Sequence, residues 1–273
     1  MQLDGPPAVE PITSHANARL KHARKLQARR HRRLLGQFLA EGEDIVEEAL
    51  AAGILPVETL IAADRPPDEG LIARLARGGP VLAVRDALLA EVGGLGHPAR
   101  VIGLYEIASL PHEYAVPGTG YAPLGVYLDH VIDPGNVGTV VRACGALGPA
   151  RLLLSPGCSD PLAGKGVRAS MGAVFRVPIE TGAALPDGGL RVALVAGAPT
   201  PLWEVDLTGP VVLAVGAERH GLPAEVVSAC DVVCSIPQAT GAESLNAAQA
   251  ATLALYEAVR QRAGTADTRP SPA

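Results

Sequence analysis

Aromatic side chains are scarce: two Phe, five Tyr and one Trp make up 3% of the 273 residues. Any core must therefore be built from aliphatic and small residues, with ring stacking confined to a few positions. Cysteine is scarce too. Cys144, Cys158, Cys230 and Cys234 are too few to staple a chain of this length, and the spacing of the last two, with no His nearby, is a poor zinc pattern. All four read as buried small apolar residues, and no metal is expected. No run of about 18 uncharged apolar residues occurs, which excludes a helical membrane span as an expectation. The N-terminal stretch MQLDGPPAVEPITSHANARLKHARK puts acid and proline first and lacks an apolar h-region, so no secretory signal is read there. A cytoplasmic location without membrane contact is expected.

The chain is equally short of positive charge overall, at net -5. Its distribution reverses that impression. Arg19, Lys21, Arg24, Lys25, Arg29, Arg30, Arg32 and Arg33 fall within fifteen positions that contain no acid, while the rest of the chain holds 15 basic residues against 28 acidic ones. Like charges three and four apart on a helix repel by a few tenths of a kcal/mol, roughly, per pair. A segment that tolerates this without local acids reads as one whose counterions are phosphates, and nucleic acid is the expected partner.

What is present in quantity is apolar and turn-forming: 48% hydrophobic residues, 31 Gly and 24 Pro. The fold class read from the pattern is α/β. A basic helix is expected over 16–33 and a second over 42–52. VETLIA, PVLAV and VIGLYEI read as strands, with helices over 69–77 and from Asp86. This makes a small α/β domain over 12–110. Residues 111–123, with three Pro and two Gly, read as a linker, and the polar residues 265–273 as a loose tail. Between them, over 124–264, the runs GVYLDHV, ARLLLS, VFRVPI, RVALVA, VVLAVG and DVVCSIP alternate mostly with helix-length pieces, the pattern of a parallel sheet buried on both faces.

Three polar clusters follow such runs, where ligands bind in open α/β sheets. The first is Asp129-His-Val-Ile-Asp-Pro-Gly-Asn-Val-Gly-Thr-Val-Val-Arg142, in which Asn136 suits a helix cap and Gly138 and Arg142 share a face. The second is VVLAVGAERHGLP, in which Gly216 permits close approach and the Glu218 carboxylate is available to Arg142 or a cationic ligand. The third is SIPQATGAESLNAAQA, where Ser244 or Asn246 opens an Ala-rich helix ending near Gly264. Leu245, Ala248, Thr252, Leu255 and Val259 form its expected inward stripe, and Arg260 and Arg262 suit its last turn.

Taken together, NVGTVVRACGALG, VGAERHGLP and IPQATGAESLNAAQA resemble the three motifs of the SpoU (TrmH) family of RNA ribose 2'-O-methyltransferases, in order across about 125 residues. The stretch ITSHANARLKHARKLQARRHRRLLGQFLAEGEDIVEEAL is similar to the substrate-binding domain of members such as the thiostrepton-resistance type, which act on 23S ribosomal RNA. The resemblance implies a SPOUT domain with a deep trefoil knot, S-adenosylmethionine as cofactor and a homodimer joined through the knot and the C-terminal helix. It also implies site residues. Gly216, Ile236 and Leu245, with Ala196 and Gly197 as a further wall, match cofactor-holding positions. Asn136, Arg142, Glu218, Ser244 and Asn246 match the catalytic set, and Ser170 an RNA-touching position. Gln238, where Met is frequent, and Arg219-His220, which replace smaller or acidic residues, depart from the pattern.

On this reading Arg142 stabilises a developing alkoxide rather than acting as a base, because a guanidinium holds its proton, and Glu218 orients it. A dinucleotide oxidoreductase is disfavoured, since HVIDPGNVG is not a GxGxxG. A transfer-RNA enzyme and a catalytically silent RNA-binding member remain the alternatives.

Overall fold

The structure, a computed structural model, describes residues 10–94, 99–112, 123–148, 150–239 and 244–266, with side chains to 263. Among these, contacts divide the chain into two units, residues up to 110 with Leu162–Phe175, and Pro111–Pro161 with residues from Arg176 on. The segment 162–175, expected inside the second domain, thus leaves it. Most of the expected linker, 113–122, lies outside the described residues, as do 240–243 within the third motif.

The first unit runs α1 (Ala18–Lys25), α2 (Arg29–Leu35), β1 (Gln37–Glu41), α3 (Glu43–Ala51), β2 (Glu58–Ala62), α4 (Glu69–Leu75), β3 (Val81–Val84), α5 (Asp86–Val92) and β4 (Val101–Glu106). The sheet order is β1-β4-β2-β3, with β1 and β2 antiparallel to β4, and β3 parallel to β2. Strand β2 is buried along its whole length, as a central strand packed on both faces must be. Leu60 and Ala62 pack with Leu20 and Ala23 of α1, Leu26 just past its end, and Leu88, Leu89 and Val92 of α5, while Ile61 packs with Val46, Leu71 and Leu75 of α3 and α4. β1 was not expected from the sequence; its Phe38 and Ala40 are buried.

The expected continuous basic helix is two helices. The chain breaks after Leu26, which is buried, and the break is held by side chains. Gln27 Nε2 donates to Val92 O at 2.7 Å, and Arg32 Nη1 donates to Leu26 O and Gln27 O, each at 2.7 Å. Arg32 is only 3% exposed. It serves two carbonyls of the segment between α1 and α2, which corrects its assignment to an RNA-facing set. Replacing it with Ala strands those carbonyls. Arg32→Ala is expected to lower stability by about 2–3 kcal/mol in urea unfolding, with the salt slope of RNA binding unchanged.

The second unit begins with β5 (Leu124–Leu128), α6 (Pro134–Leu147) and β6 (Ala150–Leu154). After α7 (Gly164–Ala169), which belongs to the first unit, come β7 (Ile179–Thr181), β8 (Leu190–Leu194), β9 (Val211–Val215), α8 (Ala224–Ala229), β10 (Val232–Cys234) and α9 (Ala247–Ala266). The six strands are all parallel in the order β10-β8-β9-β5-β6-β7, as the buried runs predicted.

Of VFRVPI only Ile179 is strand, opening β7 beside Leu152 of β6. Val174 and Phe175 lie in a 3-10 turn of the first unit, where Phe175 joins Phe38 and Tyr105 at centroid distances of 4.9 to 5.9 Å. Both phenylalanines of the chain are spent on this cluster, which docks the 162–175 segment on β1 and β4.

Helix α9, which packs on α6 and β9, buries Ala247, Ala248, Ala251, Ala254, Leu255 and Ala258, a stripe of mostly methyl groups that permits close helix contact. Of the expected stripe only Ala248 and Leu255 are fully buried. The helix continues past Gly264 to Ala266. Arg262, expected in the last turn, is 5% exposed and donates to Leu207 O at 3.1 Å and Gly209 O at 2.7 Å. Cys144, Cys158 and Cys234 are buried and Cys230 half-buried, all as free thiols, and burial pushes the Cys144 thiol up to about 12. Among the described residues no helix is long and apolar enough to cross a membrane.

Candidate active site

A cavity of about 500 Å³ lies beyond the carboxyl ends of β8 and β9. One wall is Leu194, Val195 and Ala196; the floor is Val215 and Gly216; Ile236 and Gln238 follow β10; Ser244, Leu245, Ala247 and Ala250 close it from the start of α9. The walls are pinned to one another. Val195 N–H donates to Cys234 O at 2.9 Å, and Ser235 Oγ–H donates to Ala198 O at 2.8 Å, so the turn after β8 and the exit from β10 cannot separate without breaking hydrogen bonds. Gly197, expected in the wall, does not line the cavity; it sits exposed in this turn with φ 75°.

Gly216 is where the backbone requires a glycine. The loop after β9 folds back so tightly, with Gly221 N–H donating to Ala217 O at 2.9 Å, that a Cβ on residue 216 would fall on the backbone of Gly221 and Leu222. The second motif is thus a pinned turn carrying Glu218, Arg219 and His220 at its tip, with Glu218 and Arg219 facing the cavity.

Around the rim the three motifs join through side chains. Asn246 caps α9, its Oδ1 accepting from Ala248 N at 2.9 Å and Gln249 N at 3.3 Å. That fixes its amide: the oxygen faces helix donors, so Nδ2 points away and donates to Asn136 Oδ1 at 3.1 Å. Asn136 in turn presents Nδ2, which donates to Glu218 Oε1 through a short contact. One end of the chain of amides is a helix N-terminus and the other a carboxylate, so the direction of every donor is determined.

The cap of α6 itself is Asp133, whose carboxylate accepts from Asn136 N at 3.0 Å, with Pro134 at the first helical position. Asn136 was expected to be that cap; with the backbone served by Asp133, its side chain is released for Glu218 and Asn246. Upstream, buried Asp129 accepts from Tyr127 Oη at 3.2 Å and pairs with the His130 ring at 2.7 Å. Burial first, and then the Asp129 charge, push the Tyr127 hydroxyl up to about 12, so it stays a donor.

Arg142 is not brought to Glu218. Six residues along α6 from Asn136 amount to about 9 Å of rise and a third of a turn away from that face. Its side chain is exposed, outside the cavity lining, and without a hydrogen-bonding partner among the described residues. The expectation that Glu218 orients Arg142 is corrected accordingly, since Asn136 holds the Glu218 carboxylate. Ser170 is also corrected: it is 1% exposed, belongs to the first unit and donates its hydroxyl to Val167 O at 2.7 Å.

The basic segment divides. Besides Arg32, Arg19 pairs with buried Glu58 at 2.5 Å and Arg24 with Glu91 at 3.0 Å, acids that lie far along the chain. Arg29 is half-buried. Lys21, Lys25, Arg30 and Arg33 are exposed and form no ion pair among the described residues.

The profile of the SpoU rRNA Methylase family matches residues 123–256, and that of an MRM3-like substrate binding domain matches residues 17–103. The chain is 32% identical over 285 residues to the 23S rRNA (uridine(2479)-2'-O)-methyltransferase of Streptomyces viridochromogenes, covering 97% of each. Among solved structures, the SpoU methyltransferase AviRb of the same organism, in complex with AdoMet, matches with a TM-score of 0.77 and 29% identity, over 90% of this chain and 98% of that one. An AdoMet-bound rRNA methyltransferase of Sinorhizobium meliloti matches with a TM-score of 0.77 and 32% identity, over 92% and 98%. Motifs, fold and whole-length likeness converge, and the chain belongs to the SpoU family of RNA methyltransferases.

Proposed function

We propose that this protein transfers a methyl group from S-adenosylmethionine to a ribose 2'-hydroxyl of 23S ribosomal RNA, working as a homodimer. The observation that carries the reading is the cavity at the ends of β8 and β9, walled by residues of the second and third motifs and tied to the first by Asn136. Its volume falls within the roughly 300–1,000 Å³ that small-molecule sites occupy. Its chemistry fits the donor: Leu194, Ile236 and Leu245 offer apolar walls for an adenine, and the bare backbone at Gly216 allows close approach.

When bound, the donor supplies a methyl group on a sulfonium whose departure leaves a neutral thioether, so no leaving-group acid is required. The chain's own task is alignment and electrostatics. The Asn246–Asn136–Glu218 chain fixes the rim against which the ribose is held, with Ser244 beside it. Arg142 steadies the 2'-oxygen as its proton passes to solvent water, and grips a neighbouring phosphate. The dimer reading is supported by Leu253 and Tyr256, three apart on α9 and 45% and 55% exposed, large apolar groups left facing outward from an Ala-rich helix. A knotted path for the third motif belongs to the same reading.

RNA docking is assigned to Lys21, Lys25, Arg30 and Arg33. Changing all four to Gln is expected to flatten the slope of log affinity against log salt by about 3, at about 0.7–0.9 per phosphate contact. An unchanged slope in a filter-binding titration moves the RNA surface elsewhere. The reaction is tested by incubating purified protein and labelled donor with 23S ribosomal RNA and with transfer RNA, then mapping ribose methylation. Label entering 23S RNA at a discrete ribose is expected. Label confined to transfer RNA overturns the substrate assignment, and label in neither overturns the activity.

A further inference from the structure

We propose that Arg219 forms an ion pair with the carboxylate of the methyl donor's amino-acid tail. This rests on the cavity being the donor site. Among the described residues the cavity lining contains two charged side chains, Glu218 and Arg219. Glu218 has its carboxylate engaged by Asn136, whereas Arg219 is exposed and has no hydrogen-bonding or ion-pair partner among the described residues.

The donor carries two cationic groups, the sulfonium and the ammonium, and one anion, the carboxylate. A single unengaged cation in the lining matches that single anion. The tail is also the donor's most hydrated end, and Arg219 is the exposed charged residue of the lining, open to the water that such a tail retains.

The backbone beneath Arg219 is fixed. The Gly221 N–H to Ala217 O bond closes the turn, and Gly216 lies directly under it, so the root of the side chain is held while its head stays free to close on a carboxylate in a two-pronged geometry.

The test uses the full chain and three ligands in titration calorimetry. S-adenosylmethionine and S-adenosylhomocysteine both carry the tail; methylthioadenosine lacks it. Arg219→Gln is expected to weaken the first two by about three- to tenfold and leave methylthioadenosine unchanged. Arg219→Lys, which keeps the charge but not the fork, is expected to recover part of the loss. Equal weakening of all three ligands would mean that the residue only shapes the cavity, and overturns the proposal. Unchanged binding of all three, with weakened binding of RNA, overturns it in favour of an RNA phosphate. Wild-type protein that takes up neither tailed ligand would remove the donor site and this inference with it, whereas wild-type uptake matched by Arg219→Gln removes the inference alone.

Discussion

Gly216→Ala is expected to weaken donor binding by about 100-fold or more, the loss of roughly 2.7 kcal/mol or more of binding free energy. A single methyl group has that leverage because it meets backbone rather than a side chain that can swing aside: the added Cβ lands on Gly221 and Leu222, inside a turn closed by its own hydrogen bond. Either β9 must draw back or the turn must open, and both move the cavity floor together with Glu218 and Arg219. Gly197→Ala is the matched control. Gly197 has φ 75°, so an alanine there is strained by about 1 kcal/mol, yet nothing lies within 4 Å of its would-be Cβ. It is expected to cost stability and to leave donor affinity within about threefold. Calorimetry with S-adenosylhomocysteine separates the two: equal effects would show that backbone strain, not the shape of the floor, governs binding.

The contrast between these glycines shows what the sequence could carry and what it could not. The buried runs at β5, β6, β8, β9 and β10 are legible because a parallel strand covered on both faces has no polar face to display, and the motif loops are legible because glycine and polar residues gather where strands end. Which side chain serves which backbone group was not legible. Asp133 and Asn136 are both good caps, and only the folded loop shows that Asp133 takes the N–H, releasing Asn136 for Glu218. The basic segment has no acid within it, yet Glu58 and Glu91 arrive from 39 and 67 residues away to pair with Arg19 and Arg24. Arg32 turns inward onto carbonyls that exist as acceptors only because the helix breaks at Leu26. VFRVPI has the composition of a strand, but Phe175 finds its ring partners in Phe38 and Tyr105, more than 60 residues away, and tertiary packing overrides the local pattern.

Arg142→Ala is expected to lower turnover by about 100- to 1,000-fold with donor affinity changed by no more than about threefold. The two halves of that expectation come from different observations. Donor affinity is spared because Arg142 lies outside the cavity lining and forms no hydrogen bond or ion pair with the described residues that shape it. Turnover is lost because the cation in the cavity lining, Arg219, is assigned to the donor's carboxylate and the other polar groups at the rim cannot replace a cation. Glu218 is anionic and held by Asn136, Asn136 is spent between Glu218 and Asn246, and Asn246 is spent on the end of α9. None of them offers positive charge to an oxygen losing its proton. The exposed position of Arg142 also constrains its role: a guanidinium in water gives little stabilisation until a substrate covers it, so its contribution arises only when RNA excludes solvent. Arg142→Lys therefore tests the geometry as well as the charge. A lysine that restores most of the turnover means that charge alone suffices, whereas one that stays within about tenfold of the alanine variant means that the planar fork, holding oxygen and phosphate together, is what the reaction uses. Single-turnover rates with saturating donor read this directly. A loss of donor binding in Arg142→Ala would instead make the residue structural and remove it from the catalytic set.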